Sequence, residues 1–345
     1  MNARIGAVIP PLACLAVAAR AMTAVLWLAA CSDASGDETL IHINGTGVLQ
    51  REIRTNVFAD FYIPATSQAV PGIILLGGSD GEPMKERSAL LASQGYAVLN
   101  LFYFGHGWLP KEFAKVPVEY LTNSVSWLQA QARVDSARIG IIGHSRGTEA
   151  ALLIASLRPD IRAVVAVAPS SVVWPGPGAS GYFHSAWSLN REEMPYVPIS
   201  FSKGVGAFLK QVTGTTDIEH RPLFEEALKN KSAVERATIR VENIHGAVLL
   251  ISGKDDRVWP SAPMAERILA RLREHRHAFT YQHLSYEEAG HSFGLPGQRQ
   301  TNETATTFKM GGTAVGNAVA ARDSWNAILK FFRIELMSER ENSTK

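Results

Sequence analysis

Ile139-Gly140-Ile141-Ile142-Gly143-His144-Ser145-Arg146-Gly147-Thr148-Glu149-Ala150-Ala151-Leu152 decides how this chain folds. Residues 137–142 read as a buried strand, and residues 148–155 as a helix. Gly143-His144-Ser145-Arg146-Gly147 lies between them, a G-x-S-x-G at a sharp strand-to-helix turn. The turn is so tight that Cβ atoms two residues either side of the serine would meet neighbouring backbone, which is why both positions are glycine. That geometry holds a hydroxyl clear of the sheet at the start of a helix, and makes Ser145 a candidate nucleophile.

Working outward, composition sets broad limits. The 345 residues are 46% apolar and 19% charged, values of a globular protein with a substantial core. Net charge is +2 with no basic stripe, so nothing points to nucleic acid. The two cysteines, Cys14 and Cys31, both lie near the N-terminus. The body therefore has no thiol for a disulfide, a thiolate metal site or cysteine catalysis. Apolar runs over residues 5–19 and 21–30 are interrupted by Arg20, and each is short for a bilayer span of about 20 residues. Small residues lead into Cys31 and a polar stretch follows, the grammar of a signal peptide. Leu28-Ala29-Ala30-Cys31 is similar to the lipobox of bacterial lipoproteins, so the expectation is an exported lipoprotein held at the cell envelope through a lipid on Cys31. An uncleaved anchor helix or a misplaced start codon are the plainer alternatives.

The mature chain alternates strands with helices. Residues 48–56 and 57–63 suggest two antiparallel strands. Residues 73–76 form a continuous apolar run that ends in Gly77-Gly78-Ser79, as a buried parallel strand does. Helices are expected over 84–93, 118–132, 262–274 and 318–334, and further strands over 97–102, 163–168, 247–252 and 279–284. This is a doubly wound, mainly parallel α/β sheet. The pattern breaks at about residues 171–246, where Trp174-Pro175-Gly176-Pro177-Gly178 and the aromatic stretch 182–187 suggest an excursion over the sheet. Its aromatics cover substrate or form a small core of their own.

Strand, elbow and helix in this order define the α/β-hydrolase fold, whose chain order is nucleophile, acid, histidine. Serine needs a base to take its proton, usually a histidine oriented by a carboxylate. Asp256 follows an apolar strand in Gly253-Lys254-Asp255-Asp256, and His291 follows the next strand in Ala289-Gly290-His291. Both lie beyond C-terminal strand ends, where open α/β sheets build their sites. Asp255 competes with Asp256 for the acid role. The oxyanion donors expected in this fold are the N–H of Arg146 and one from the loop after the early strand, from Ser79 or Gly78. No histidine cluster has metal-ligand spacing, and His275-Arg276-His277 reads as a solvated face, so neither metal nor organic cofactor is expected.

Several stretches together resemble the C-terminal catalytic domain of the acyl-CoA thioester hydrolase and bile acid-CoA:amino acid N-acyltransferase family. They are residues 71–81, 88–96, the elbow, 241–253, Trp259-Pro260-Ser261 and Ala289-Gly290-His291. The likeness runs from about Gln50 to Arg333. It implies a Ser145, Asp256 and His291 triad that hydrolyses acyl thioesters, or related carboxylic esters, as small-molecule substrates through an acyl-enzyme. Members that transfer acyl groups to amino acids carry cysteine at the nucleophile, so serine here favours hydrolysis. The expected division is a signal segment over 1–30, a linker over 31–47, the α/β-hydrolase domain over 48–337 with a cap at about 171–246, and a tail over 338–345. A peptidase, a dienelactone-hydrolase-like esterase, an N-acyltransferase and a catalytically idle binding lipoprotein are the competing readings.

Overall fold

In the central strand Val70–Leu76, successive side chains leave on opposite faces of the sheet. Ile74 and Leu76 enter one buried cluster, Ile73 and Leu75 the other, and all four are inaccessible to solvent. Only a sheet covered on both sides needs such an uninterrupted apolar run. The computed structural model describes residues 41–43, 47–177, 182–200, 219–296 and 309–338.

Among these residues the strands are β1 Ile41–Ile43, β2 Val48–Arg54, β3 Phe58–Pro64, β4 Val70–Leu76, β5 Ala97–Leu101, β6 Val116–Pro117, β7 Val134–His144, β8 Ile161–Val167, β9 Trp187–Leu189, β10 Glu192–Glu193, β11 Ala247–Gly253 and β12 Tyr281–Tyr286. The α-helices are α1 Lys85–Ser93, α2 Val118–Gln129, α3 Arg146–Leu157, α4 Arg221–Ala227, α5 Lys231–Ala237, α6 Ser261–Glu274 and α7 Ala314–Phe332. The main sheet has the order β1-β2-β3-β5-β4-β7-β8-β11-β12. Strands from β5 to β12 in that order run parallel, while β1, β2 and β3 join antiparallel at one edge. Helices α2, α3 and α6 bury apolar side chains such as Leu121, Leu152 and Ile268 on one face of the sheet. Leu91 of α1 and Ile328 and Phe332 of α7 cover the other. This is the α/β-hydrolase architecture expected from the alternation of strands and helices.

The chain leaves β4 toward β5 and returns through β7 on β4's other side. The loops after β4 and β7 therefore lie side by side at the switch point where doubly wound sheets form crevices. Four details differ from the sequence reading. The segment expected as linker over 31–47 includes β1, which pairs with β2 through Ile41↔Gln50, His42↔Leu49 and Ile43↔Val48. A three-stranded sheet, β10-β9-β6, is missing from that reading because strands of two or three residues carry no periodicity. The excursion also holds α4 and α5. Its aromatics divide: Trp174 stands edge-on to Phe224 at 4.8 Å in a separate small cluster, while Trp187 packs on Phe113 at 5.1 Å in the main core. His277 is tied to the Gly246 carbonyl at 3.0 Å rather than lying on a fully solvated face, and its neighbour His275 is exposed. The signal segment and Cys31 lie outside the described residues, as does the tail beyond Ser338.

Candidate active site

β7 delivers Ser145 to the C-terminal edge of the sheet and α3 leaves from it. The serine has φ 53° and ψ −122°, a conformation L-residues avoid. It persists because surrounding backbone fixes it: Ser145 N–H donates to the Val167 carbonyl at 2.9 Å, and its own carbonyl accepts from the Thr148 N–H and hydroxyl at 2.9 and 2.7 Å. A Cβ on Gly143 would sit 2.2 Å from the Gly147 carbonyl oxygen, and one on Gly147 would sit 2.3 Å from that of Gly77. The steric reason for both glycines is thus backbone meeting backbone.

Asp256 stands in the loop after β11 and is fully buried. Its Oδ1 accepts from the N–H groups of Val258 and Trp259 at 3.0 and 3.1 Å. Its Oδ2 accepts from His291 Nδ1 at 2.9 Å, and His291 Nε2 lies 2.7 Å from Ser145 Oγ. With Nδ1–H given to the carboxylate, Nε2 is left to accept the serine proton. Trp259 stands edge-on to the His291 ring at 5.5 Å and fixes its plane. Asp255, the rival acid, points elsewhere: it pairs with Arg257 at 3.0 Å and accepts from the Gly312 N–H.

Gly78 and Ser79 differ in placement. Gly78 is buried against the nucleophile, with its Cβ position 3.6 Å from Ser145 Cβ, whereas Ser79 is exposed. Tyr103, invisible to motif reading, orients this loop. Its hydroxyl donates to the carbonyls of Gly77 at 2.7 Å and Gly78 at 3.0 Å. In a trans peptide the N–H points opposite to the C=O, so holding these carbonyls turns the Gly78 and Ser79 N–H groups the other way.

A second feature escaped the sequence reading. The Arg146 side chain is buried and pairs with Glu149 at 2.8 Å. Arg146 also donates to the Pro175 carbonyl at 2.9 Å and stands over the Phe113 ring at 5.1 Å. Glu149 accepts from the Trp174 N–H and the Trp187 indole, at 3.0 and 3.1 Å. Burial pushes the Glu149 carboxyl up to about 7, against the pull of Arg146 and these donors. The pair pins the Trp174–Pro175 and Trp187 segments of the excursion to the first turn of α3. An arginine within the elbow and a glutamate three residues on were the available signal. No group of side chains suited to a metal ion occurs among the described residues.

A buried Ser–His–Asp chain at the switch point of a doubly wound sheet places the protein in the α/β-hydrolase class. Residues 116–338, well over half of the chain, match the family BAAT / Acyl-CoA thioester hydrolase C terminal, and the chain belongs to that family. It is 29% identical over 306 residues to mouse mitochondrial acyl-coenzyme A thioesterase 2, covering 86% of this chain and 63% of the relative. It is 28% identical to mouse acyl-coenzyme A amino acid N-acyltransferase 1, covering 85% of this chain and 67% of the relative. The chain spans about two thirds of the length of these relatives. Among solved structures it is similar to an acetyl xylan esterase from Paenibacillus, with TM-score 0.52, 14% identity and coverage of 86% and 88%. A puromycin-hydrolyzing peptidase of Mycobacterium tuberculosis has TM-score 0.53, 14% identity and coverage of 87% and 41%. At such identity these structures speak for the fold alone.

Proposed function

We propose that this protein is a serine hydrolase of acyl thioesters, of the acyl-coenzyme A kind, or of related carboxylic esters. The hydrogen-bonded chain Asp256–His291–Ser145, at 2.9 and 2.7 Å, carries the reading. Ser145 Oγ attacks the acyl carbon as His291 Nε2 takes its proton, and buried Asp256 stabilises the resulting imidazolium. The Arg146 N–H, in the first turn of α3, and the Gly78 N–H hold the oxyanion. His291 then returns the proton to the leaving thiolate or alkoxide. A water activated by the same imidazole cleaves the acyl-serine and restores the hydroxyl. Family membership and the thioesterase relatives support the thioester, and a serine rather than a thiol at the elbow supports hydrolysis over transfer to an amine.

The test follows free thiol released from acyl-CoAs of increasing chain length, with nitrophenyl esters and peptide amides as comparison substrates and glycine or taurine as added acceptors. Ser145→Ala is expected to lose at least about 10⁴-fold in kcat. Equal turnover by wild type and variant would end the nucleophile assignment, and acyl-amino acid as main product would favour transfer. For location, Leu28-Ala29-Ala30-Cys31 supports a lipid-anchored, exported protein. Palmitate incorporated in cells is then expected to vanish in Cys31→Ala, and label that persists would remove the anchor. Among the described residues no helix is long and apolar enough to cross a membrane.

A further inference from the structure

The residue before the nucleophile is a histidine for which the chemistry above has no use. His144 is bonded to Ser145 through the chain, and its Nε2 lies 3.3 Å from the main-chain carbonyl oxygen of His291. A carbonyl can only accept, so Nε2 carries the proton. Nδ1 faces the loop after β4, with the Gly78 Cβ position 3.9 Å away, and the two imidazole rings lie 5.6 Å apart. Burial, with His291 and Arg87 nearby, pushes the His144 pKa down to about 3 and keeps the ring neutral. One imidazole thus borders the nucleophile, the base and the loop of the second oxyanion donor. The His291 backbone is held elsewhere too, by its N–H to the Met310 carbonyl at 2.8 Å and by Gly290 N–H to Asn317 at 2.9 Å. Those ties run to the chain around residues 310–317. Among the described residues it is His144 that links the base's backbone directly to the elbow.

We propose that His144 is a positioning residue: by donating Nε2–H to the His291 carbonyl it fixes the height of the catalytic imidazole over Ser145, so that elbow and base hold one register. The inference rests on the hydrolase reading. A side chain that merely filled space would be replaced equally well by any group of its volume. A donor would be replaced only by another donor of the same reach, which Gln supplies and Phe or Leu does not.

The experiment measures fluorophosphonate labelling of Ser145, and kcat and KM for thiol release, in wild type, His144→Phe, His144→Leu and His144→Gln. Thermal unfolding shows which variants are folded. Misplacing a reacting group by a fraction of an ångström is costly, so Phe and Leu are expected to slow labelling and kcat by about 10–100-fold. KM should stay within about twofold, and Gln should recover the rate to within about threefold of wild type. Labelling of the folded Phe or Leu variant at the wild-type rate would overturn the proposal. So would a folded Gln variant as slow as the other two, or a loss carried by KM alone. Wild-type protein left unlabelled would instead overturn the hydrolase reading, and the role of His144 with it.

Discussion

Tyr103 is buried between the loop after β4 and the aromatic cluster of Phe104, Phe113 and Trp187, and burial raises its pKa so that the phenol stays a donor. Its hydroxyl satisfies two carbonyls that water does not reach, those of buried Gly77 and Gly78. Tyr103→Phe removes that donor without changing the ring. The expected cost is about 1–3 kcal/mol of stability, and, since the Gly78 N–H loses its fixed direction, about tenfold in kcat with KM little changed. Denaturant melts and steady-state kinetics check both; an unchanged kcat would remove Tyr103 from oxyanion orientation. His144 gives a pH dependence whose sign follows from its lowered pKa. The unfolded ring titrates near 6.5 and the folded one near 3, so the unfolded chain binds the extra proton between these values. Stability from this residue is full above pH 6.5 and is lost on acidification, by about 2 kcal/mol at pH 5. Glu149 works in the opposite sense, because its raised pKa gives the folded state the extra proton between 4.5 and 7. The measurement is therefore the difference between wild type and His144→Gln in chemical denaturation from pH 7.5 to 4.5. It should shift against wild type as pH falls, and a constant difference would show that His144 does not titrate on unfolding.

At the scale of elements, the elbow and the excursion are coupled through one buried ion pair. Glu149→Leu leaves the Arg146 guanidinium without its carboxylate among Phe113 and the 174–175 carbonyls, and should destabilise by about 3–5 kcal/mol. Arg146→Leu combined with Glu149→Leu should recover much of that loss, because no uncompensated charge remains buried. Melts of the two singles and the double form a mutant cycle, and strict additivity would show that the two side chains act independently. Such pairings explain where the sequence was readable and where it was not. The runs over 73–76, 97–102, 163–168 and 247–252 became β4, β5, β8 and β11 within a few residues, because strands buried on both faces need continuous apolar side chains. The G-x-S-x-G turn was readable because its glycines answer a local steric demand. The contacts of Tyr103 with Gly77 and Gly78, and of Arg146 with the Trp174 and Pro175 carbonyls, were not, since each reaches backbone tens of residues away and leaves no spacing in the chain. Pairing of β6 with β9, two residues on each strand, is likewise a tertiary fact.

For the whole molecule, the chain order of Ser145, Asp256 and His291 was readable because the fold stacks successive strand ends along one edge of the sheet. The compact unit that carries this edge runs from Leu40 to Lys345. Its sheet begins, among the described residues, with the edge strand β1, paired with β2, whose Arg51, Glu52 and Arg54 are charged. Charged edge strands resist pairing with other chains, so β2 can serve as the edge itself. The site lies on the other side of β3 and β5, between β4, β7 and β11. A chain starting at Leu40 is therefore expected to unfold in one cooperative transition and to match the full-length protein in kcat/KM for thiol release. A chain starting at Gly47 should lose stability modestly while keeping the rate, since among the described residues it gives up the three β1 pairings. Fractionation of cells should move the Leu40 form from membrane to soluble extract if Cys31 is the anchor. Loss of turnover in the Leu40 form, with its fold intact by circular dichroism, would mean that catalysis needs residues 1–39 as well.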